Sequence, residues 1–508
     1  MTSHQFLAPR LKKAVVFAAA VGLLAGCGIR VSDSEVVNAA SQGATIEGVT
    51  GTGTGASDLG TGAVGDLGAT GTGGAGGAVP TTTDATTPGT ATGPATGTGT
   101  AAATGTGTTG TGTATGQKPG TGAKDPNRAA TTTSGKCTKS LSPIVIGQTG
   151  AFSGLVGQST GNIRVGLAVG VKYLNDRGGI ACHPVILHQK DDGSDPSKAA
   201  ANINDLVKNK KAVALVGLNE EIVMAAAAAE ARRLGVPIIG GDQVAPEWYT
   251  DPNVFPIGGS GVPVFGGPMA TVAKATGLSK FGLLYCVEAS ACGTINDHFE
   301  EMADFAKGTV AFKQAVSLTQ TDFTSACQGA KAAGVEVLFL SVDASSVQRA
   351  ARNCKNIGYA PPLVSVSITI APSVVADPNV RAASLYVGAP HAPYVGTGTP
   401  ALDEFHAAFK KYTGKVAQDQ PMMYGWVDAL YFARAIENLP LAIRSGTITT
   451  AIILDGVYSL KNETLGGLIP PMTFTRGKVA PFVNCYSALR IGKDGVTSPT
   501  GNKPVCNS

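Results

Sequence analysis

The chain has 508 residues, a length that holds two or three domains, with 43% hydrophobic and 15% charged residues. The 68 glycines are unevenly spread, so the globular part is shorter than the whole. A formal net charge of +4, three of it from Arg10, Lys12 and Lys13, gives no electrostatic case for nucleic-acid binding, and no basic tract is interleaved with aromatics.

Arg10, Lys12 and Lys13 precede an apolar run, Ala14 to Leu24, that is too short to span a bilayer. Residues 1–26 therefore read as a secretory signal. Leu24-Ala25-Gly26-Cys27 resembles the bacterial lipobox, which implies that Cys27 becomes the lipidated first residue of the mature chain. From 27 to 136 the chain is mostly Gly, Thr and Ala, without a strict period or an apolar face. It cannot bury enough surface to offset ordering entropy, so it reads as a low-complexity tether. A coil of that length spans roughly 55–60 Å end to end. A Thr-rich stretch also suits O-glycosylation, which is compatible with a spacer.

The globular part opens with Ile144-Val145-Ile146, a β-branched run that predicts a buried strand. A glycine-rich loop, Gly147 to Gly161, follows. Ile163, Leu167, Val171 and Leu174 recur at helical spacing, and Gly178-Gly179 stops that helix. Val185 and Leu187 alternate with His188 and Lys190 in a second strand, and Asp195-Pro196 supplies an N-cap with proline at the first helical position. Strands alternating with helices predict a parallel sheet, with ligands at the carboxyl ends of the strands.

Several of these segments recur together in one family. TGAFSG, the helix ending in NDRGGI, the HPV strand and DDGSDPSKA resemble the leucine/isoleucine/valine-binding branch of type I periplasmic solute-binding proteins, the receptors of ABC importers. The likeness runs from about Leu141 to Cys506. It implies two doubly wound α/β lobes joined by a multi-crossover hinge, with a small solute caught between them by closure. The expected partition is 137–258 and 389–455 in the first lobe, 259–388 and 456–508 in the second.

Downstream, Ala212 to Gly217 predicts the third strand, Asn219 an N-cap for a helix from Glu220 to Leu234, and Ile238-Ile239 the fourth strand. Phe281 to Val287, Ala311 to Val316 and Val335 to Leu340 predict strands of the second lobe. Helices are expected over Ile295 to Ala306, Ser345 to Ile357 and Tyr424 to Asn438, and a hairpin over Tyr486 to Gly495.

Setting Cys27 aside leaves Cys137, Cys182, Cys286, Cys292, Cys327, Cys354, Cys485 and Cys506. An even set in an exported chain reads as disulfides, although sequence does not fix the pairing. The preferred set joins neighbours: 137–182, 286–292, 327–354 and 485–506. With no CxxC pair and six scattered histidines, no metal site is expected, and no cofactor.

The resemblance puts Phe152 and Ser153 of TGAFSG against the solute, with Leu218-Asn219-Glu220 and Asp242-Gln243-Val244 where the family holds an amino-acid carboxylate. Glu288, Asp343 and Tyr424 are further ligand candidates. Here the chain departs from the family: the serine after the third strand gives way to Glu220 or Glu221, and Asp242-Gln243 replaces the hydroxyl loop after the fourth. Acidic groups repel a carboxylate, so a cationic or hydroxyl-rich solute competes with a branched-chain amino acid; equally, Glu220 and Asp242 could simply serve helix starts. The implied partners are the solute, ABC permease subunits and, through the lipid anchor, the extracytoplasmic face of the cell membrane, with the protein as a monomer. A lipoprotein that senses the solute for a signalling partner is the alternative. Gly157-Gln158-Ser159-Thr160-Gly161 formally matches a hydrolase nucleophile elbow, but a glycine loop precedes Ser159 where a strand is required. Ser159 reads instead as a helix N-cap, and no enzymatic activity is expected.

Overall fold

The computed structural model describes residues 137–506. The leader, Cys27 and the 27–136 segment lie outside the described residues. Five strands form the first sheet: β1 (Ile144–Gly150), β2 (Val185–Asp191), β3 (Ala214–Leu218), β4 (Ile238–Gly241) and β5 (Val254–Phe255). Their spatial order is β2-β1-β3-β4-β5, and every pairing is parallel. Alternation along β1 explains the layering. Ile144 and Ile146 pack in the core shared with the helices Ile163–Asp176 and Gln420–Glu437, whereas Val145 faces the core under Pro196–Lys208 and Met224–Leu234.

The helices Ile163–Asp176 and Gln420–Glu437 cross at backbone distance. A Cβ on Gly166 would lie 2.1 Å from the Met422 carbonyl oxygen, and one on Gly425 would lie 2.1 Å from that of Ile163. The second helix buries Trp426, Tyr431 and Phe432 almost completely. Asp419 caps it, accepting from the Met422 amide at 3.0 Å and from the Asn162 side chain. Asp195 likewise caps Pro196–Lys208 through the Ser197 and Lys198 amides, as the sequence predicts.

The second sheet contains β6 (Lys280–Cys286), β7 (Thr309–Val316), β8 (Val337–Ser341), β9 (Leu363–Val366), β10 (Leu385–Ala389), β11 (Cys485–Gly492) and β12 (Gly495–Thr497). These run in the order β12-β11-β10-β9-β8-β6-β7, and β13 (Val505–Cys506) pairs with β11. The strands are parallel up to β10, after which β11 and β12 add as the antiparallel hairpin. The chain is thus α/β with two parallel-sheet lobes.

Several boundaries differ from expectation. The helix placed over Glu220 to Leu234 begins at Met224, because Asn219 turns back to bond Ala151 and leaves no cap at that point. The helix expected over Ile295 to Ala306 is two pieces, Ser290–Asp297 and Phe299–Phe305, broken at His298. The partition after 455 would cut the helix Thr450–Ser459, which packs on Gln420–Glu437 of the first lobe. Phe474 still stacks edge-on against Phe255, with centroids 5.2 Å apart, so the chain leaves the first lobe only after that point.

Four disulfides join Cys137 to Cys182, Cys286 to Cys292, Cys327 to Cys354 and Cys485 to Cys506, each cysteine pairing with its neighbour in the chain. The first lies at the base of β1 and β2; the other three lie in the second lobe. Among the described residues no helix is long and apolar enough to cross a membrane.

Candidate functional site

Three segments cross between the lobes and bond to one another. The Gly259 amide donates to the Pro390 carbonyl at 2.9 Å, and the Ser260 amide donates to that of Val483 at 3.0 Å. The Val483 amide returns a bond to Ser260 Oγ at 2.8 Å. These bonds tie the three crossovers into one hinge. Buried His391 bonds the Ile257 carbonyl inside it through Nε2, and burial drives its pKa down to about 3, so the ring is neutral.

The loop after β4 faces this hinge. Gln243 holds a left-handed φ of 61° and is 3% exposed; its Nε2 donates to the Ile257 carbonyl at 2.9 Å. Its Oε1 is buried with no donor. Asp242, 1% exposed, accepts from the Glu220 amide at 2.5 Å, the Trp248 indole at 3.0 Å and the Val244 amide at 3.3 Å. Burial outweighs these bonds and raises its pKa to about 6. Asp242, Gln243 and Tyr424 meet Ser367 and Pro390 around a cavity of about 10 Å³, room for one water. The Tyr424 hydroxyl lies 2.8 Å from Ser367 Oγ, and its ring stands edge-on to His391.

A second chamber of about 40 Å³ lies on the other side of Val244, lined by Ser159, Glu221, Ser341, Asp343 and Thr369 with the Cys286–Cys292 bridge. Asp343 caps the helix Ala344–Asn356 through the Ser345 and Ser346 amides. Ser159 Oγ accepts from the Ala344 amide at 2.9 Å, a bond from one lobe to the other. Ser159 therefore does not cap its own helix, and its oxygen is engaged within a short helical turn rather than poised on a strand end. One Glu221 carboxyl oxygen is buried without a donor, and burial with Asp242 and Asp343 nearby raises its pKa well above the usual range.

A third, much larger groove of about 610 Å³ lies between Val244–Thr250 of the first lobe and Gly261–Phe265 and Thr294–Met302 of the second, and shares lining residues with both chambers. Val244 borders all three spaces. Among the described residues lining them, none is Lys or Arg.

The remaining sequence candidates serve other ends. The Ser153 hydroxyl and amide both bond Asp191, which also accepts from the Phe152 amide at 3.0 Å. The Phe152 ring lies beneath the Arg164 guanidinium, 5.3 Å from centroid to carbon, so neither residue lines these cavities. Asn219 is buried and donates to the Ala151 carbonyl at 3.2 Å, stitching the TGAFSG loop to β3. Glu220 turns into the first lobe beside Asp192. Burial and that neighbour raise its pKa well above the usual range, which suits a proton shared by the two carboxyls. Glu288 binds Ser317 Oγ at 2.6 Å and the Leu318 amide at 3.0 Å, tying the end of β6 to that of β7. Ser159, Ser341, Ser367 and Thr369 are polar lining groups that the sequence does not single out as ligands. Of the two acids that the resemblance places at the family's serine after the third strand, Glu221 is the one that lines a cavity.

Comparison with known proteins agrees with this architecture. A curated-protein comparison returns no match. A fatty acid ABC transporter substrate-binding protein from Thermomonospora curvata superposes with a TM-score of 0.60 at 17% identity, covering 72% of this chain and 93% of that one. A leucine-binding protein from Thermotoga maritima gives 0.59 at 14% identity over 71% and 99%. An ABC transporter solute-binding protein from R. palustris in complex with benzoate gives 0.57 at 16% identity over 72% and 98%. The periplasmic binding protein family model matches residues 143–496. With both lobes and the hinge inside that match, the chain belongs to the periplasmic binding protein family.

Proposed function

We propose that this protein is the extracytoplasmic receptor of an ABC importer, a lipoprotein fastened through Cys27, which holds a small solute between its lobes and yields it to a permease on opening. The observation that carries this reading is the hinge of three bonded crossovers beside cavities walled from both lobes. Such a hinge lets the lobes separate without breaking either sheet. The solute stabilises closure only through contacts made to both lobes at once. Lobe-to-lobe bonds such as Ser159 to Ala344 and Gln158 to Ser373 then set how far the empty receptor already favours closure.

The site argues against an amino-acid carboxylate at the strand ends. Asp242 and Glu221 stand there with no lining Lys or Arg, so an anion would be desolvated without a partner. The test is a thermal-shift screen of the full chain against amino acids, amides, amines, sugars and aromatic acids, followed by uptake of the hit in a deletion strain. A hit raises the melting midpoint through mass action, and uptake falls in the deletion. Unchanged uptake would remove the importer role and leave a sensor.

A further inference from the structure

The three cavities adjoin through shared wall residues along one seam between the lobes, and the seam has two chemistries. At its wide end the walls are mostly apolar, Val244, Val262, Phe265, Ile295, Met302 and Phe482, and the exposed His298–Glu301 pair also lines it. The volume, about 610 Å³, lies in the range that organic ligands occupy. Phe482 comes from the third crossover, is 65% exposed, and lies over Gly261: a Cβ there would stand 2.7 Å from its ring. The groove is therefore an apolar trough roofed by a hinge residue.

At its narrow end the seam turns acidic. Val244 and Ile295 border both the trough and the 40 Å³ chamber. That chamber is larger than one water requires and is bounded by Glu221 from the first lobe and Asp343 from the second. Asp343 has its helix amides and the Ser345 hydroxyl as donors, but one Glu221 oxygen is buried with none. Gln243, nine-tenths buried and more, likewise keeps an unpaired Oε1 beside the adjoining small cavity. These groups are acceptors short of donors. A ligand that completes them must donate hydrogen bonds, and a positive charge satisfies two facing carboxylates best.

We propose that the seam binds an amphipathic amine, its hydrocarbon or aromatic body in the trough and its protonated nitrogen in the chamber between Glu221 and Asp343. This rests on the receptor reading above and names the class of solute. It makes closure ligand-dependent in a direct way, since the nitrogen bridges a carboxylate of each lobe. Without a cation, bringing Glu221 up to Asp343 costs Glu221 its charge, because burial and the acidic neighbours hold its pKa well above the usual range.

The test uses the full chain and three probes of equal length: octylamine, octanol and octanoate, measured by titration calorimetry at pH 7. Octylamine is expected to bind at least about tenfold more tightly than octanol, with octanoate weakest. Glu221→Gln should erase the amine-over-alcohol preference while octanol binding persists, which also shows that the variant is folded. Asp343→Asn, which keeps the helix cap, should lessen the preference and serves if Glu221→Gln fails to fold. Octanoate binding as tightly as octylamine, failure of all three probes, or an undiminished preference in both variants would overturn the proposal. A different solute binding and closing the cleft in the broader screen would then leave the receptor reading intact.

Discussion

The two lobes share a plan but solve stability differently. The first carries the buried ionisable groups: Asp192, Glu220, Asp242, Asp419 and Asp428 are each about 1% exposed or less. Asp428 has no donor on either carboxyl oxygen, and the missing Cβ of Gly240 makes room for it. The second lobe has Asp343 at its rim and otherwise buries serines, such as Ser341, Ser365 and Ser487, among apolar strands. It also holds three of the four disulfides. The first lobe is thus the more sensitive to protons and the second, with three bridges to one, the more sensitive to reductant. The interface between them inherits acidity from one side and rigidity from the other.

The largest effect should come from the backbone crossing that organises the first lobe. Gly425→Ala drives a methyl into the Ile163 carbonyl, so it should cost about 3 kcal/mol or more, read as a lowered denaturant midpoint. Replacing Cys327 and Cys354 together by alanine opens a loop with sequence separation 27 and should cost the second lobe about 3 kcal/mol. Both cysteines are buried, so mild reductant should leave this bridge intact and open Cys485–Cys506 first, where Cys506 is exposed, measurable by mass spectrometry of alkylated thiols.

Asp419 sharpens the proton side of the contrast. Its pKa is raised to about 7 because it is buried, against the ordinary value of 3.8. The native chain therefore keeps a proton that the unfolded chain has released, and this group's contribution to stability is lost as pH rises from about 4 to about 7. Asp419→Asn keeps an N-cap side chain and removes the titration. The difference in unfolding free energy between pH 5 and pH 8 should shrink in the variant, by an amount on the order of 2 kcal/mol. An unchanged slope would mean that Asp419 is ionised in the native protein.

The smallest effect concerns the contact between the lobes. Ser159→Ala removes the bond to the Ala344 amide and should cost closure about 1 kcal/mol, roughly a fivefold shift in the open–closed ratio. Small-angle scattering of the full chain, with and without solute, reads that shift. Equal profiles for variant and parent would assign the bond no part in closure.

Much of this fold was legible in the residues. β-branched runs such as Ile144 to Ile146, the Asp195-Pro196 helix start and the Gly178-Gly179 stop are local signals, and local physics decides them. The crossing of Ile163–Asp176 with Gln420–Glu437 was not legible, because its glycines matter only once a helix more than two hundred residues away arrives. The site was less readable still. Glu220 and Glu221 are adjacent and chemically alike, yet one faces Asp192 inside the lobe and the other the chamber. Asn219 looked like a cap because caps are the commonest use of such a residue, but Ala151 lies closer than any helix amide in need of it. Ser159 finds its partner 185 residues along the chain, a separation that no window of sequence reveals.

The bridge at the start of the described body has a mechanical meaning. Cys137 stands seven residues before β1, and its partner Cys182 stands three before β2, two strands that run side by side in the same direction. A tug on the segment leading into Cys137 is therefore divided between both strands from the same end. Neither strand is peeled from the sheet one bond at a time; the load meets the whole β1–β2 ladder in shear.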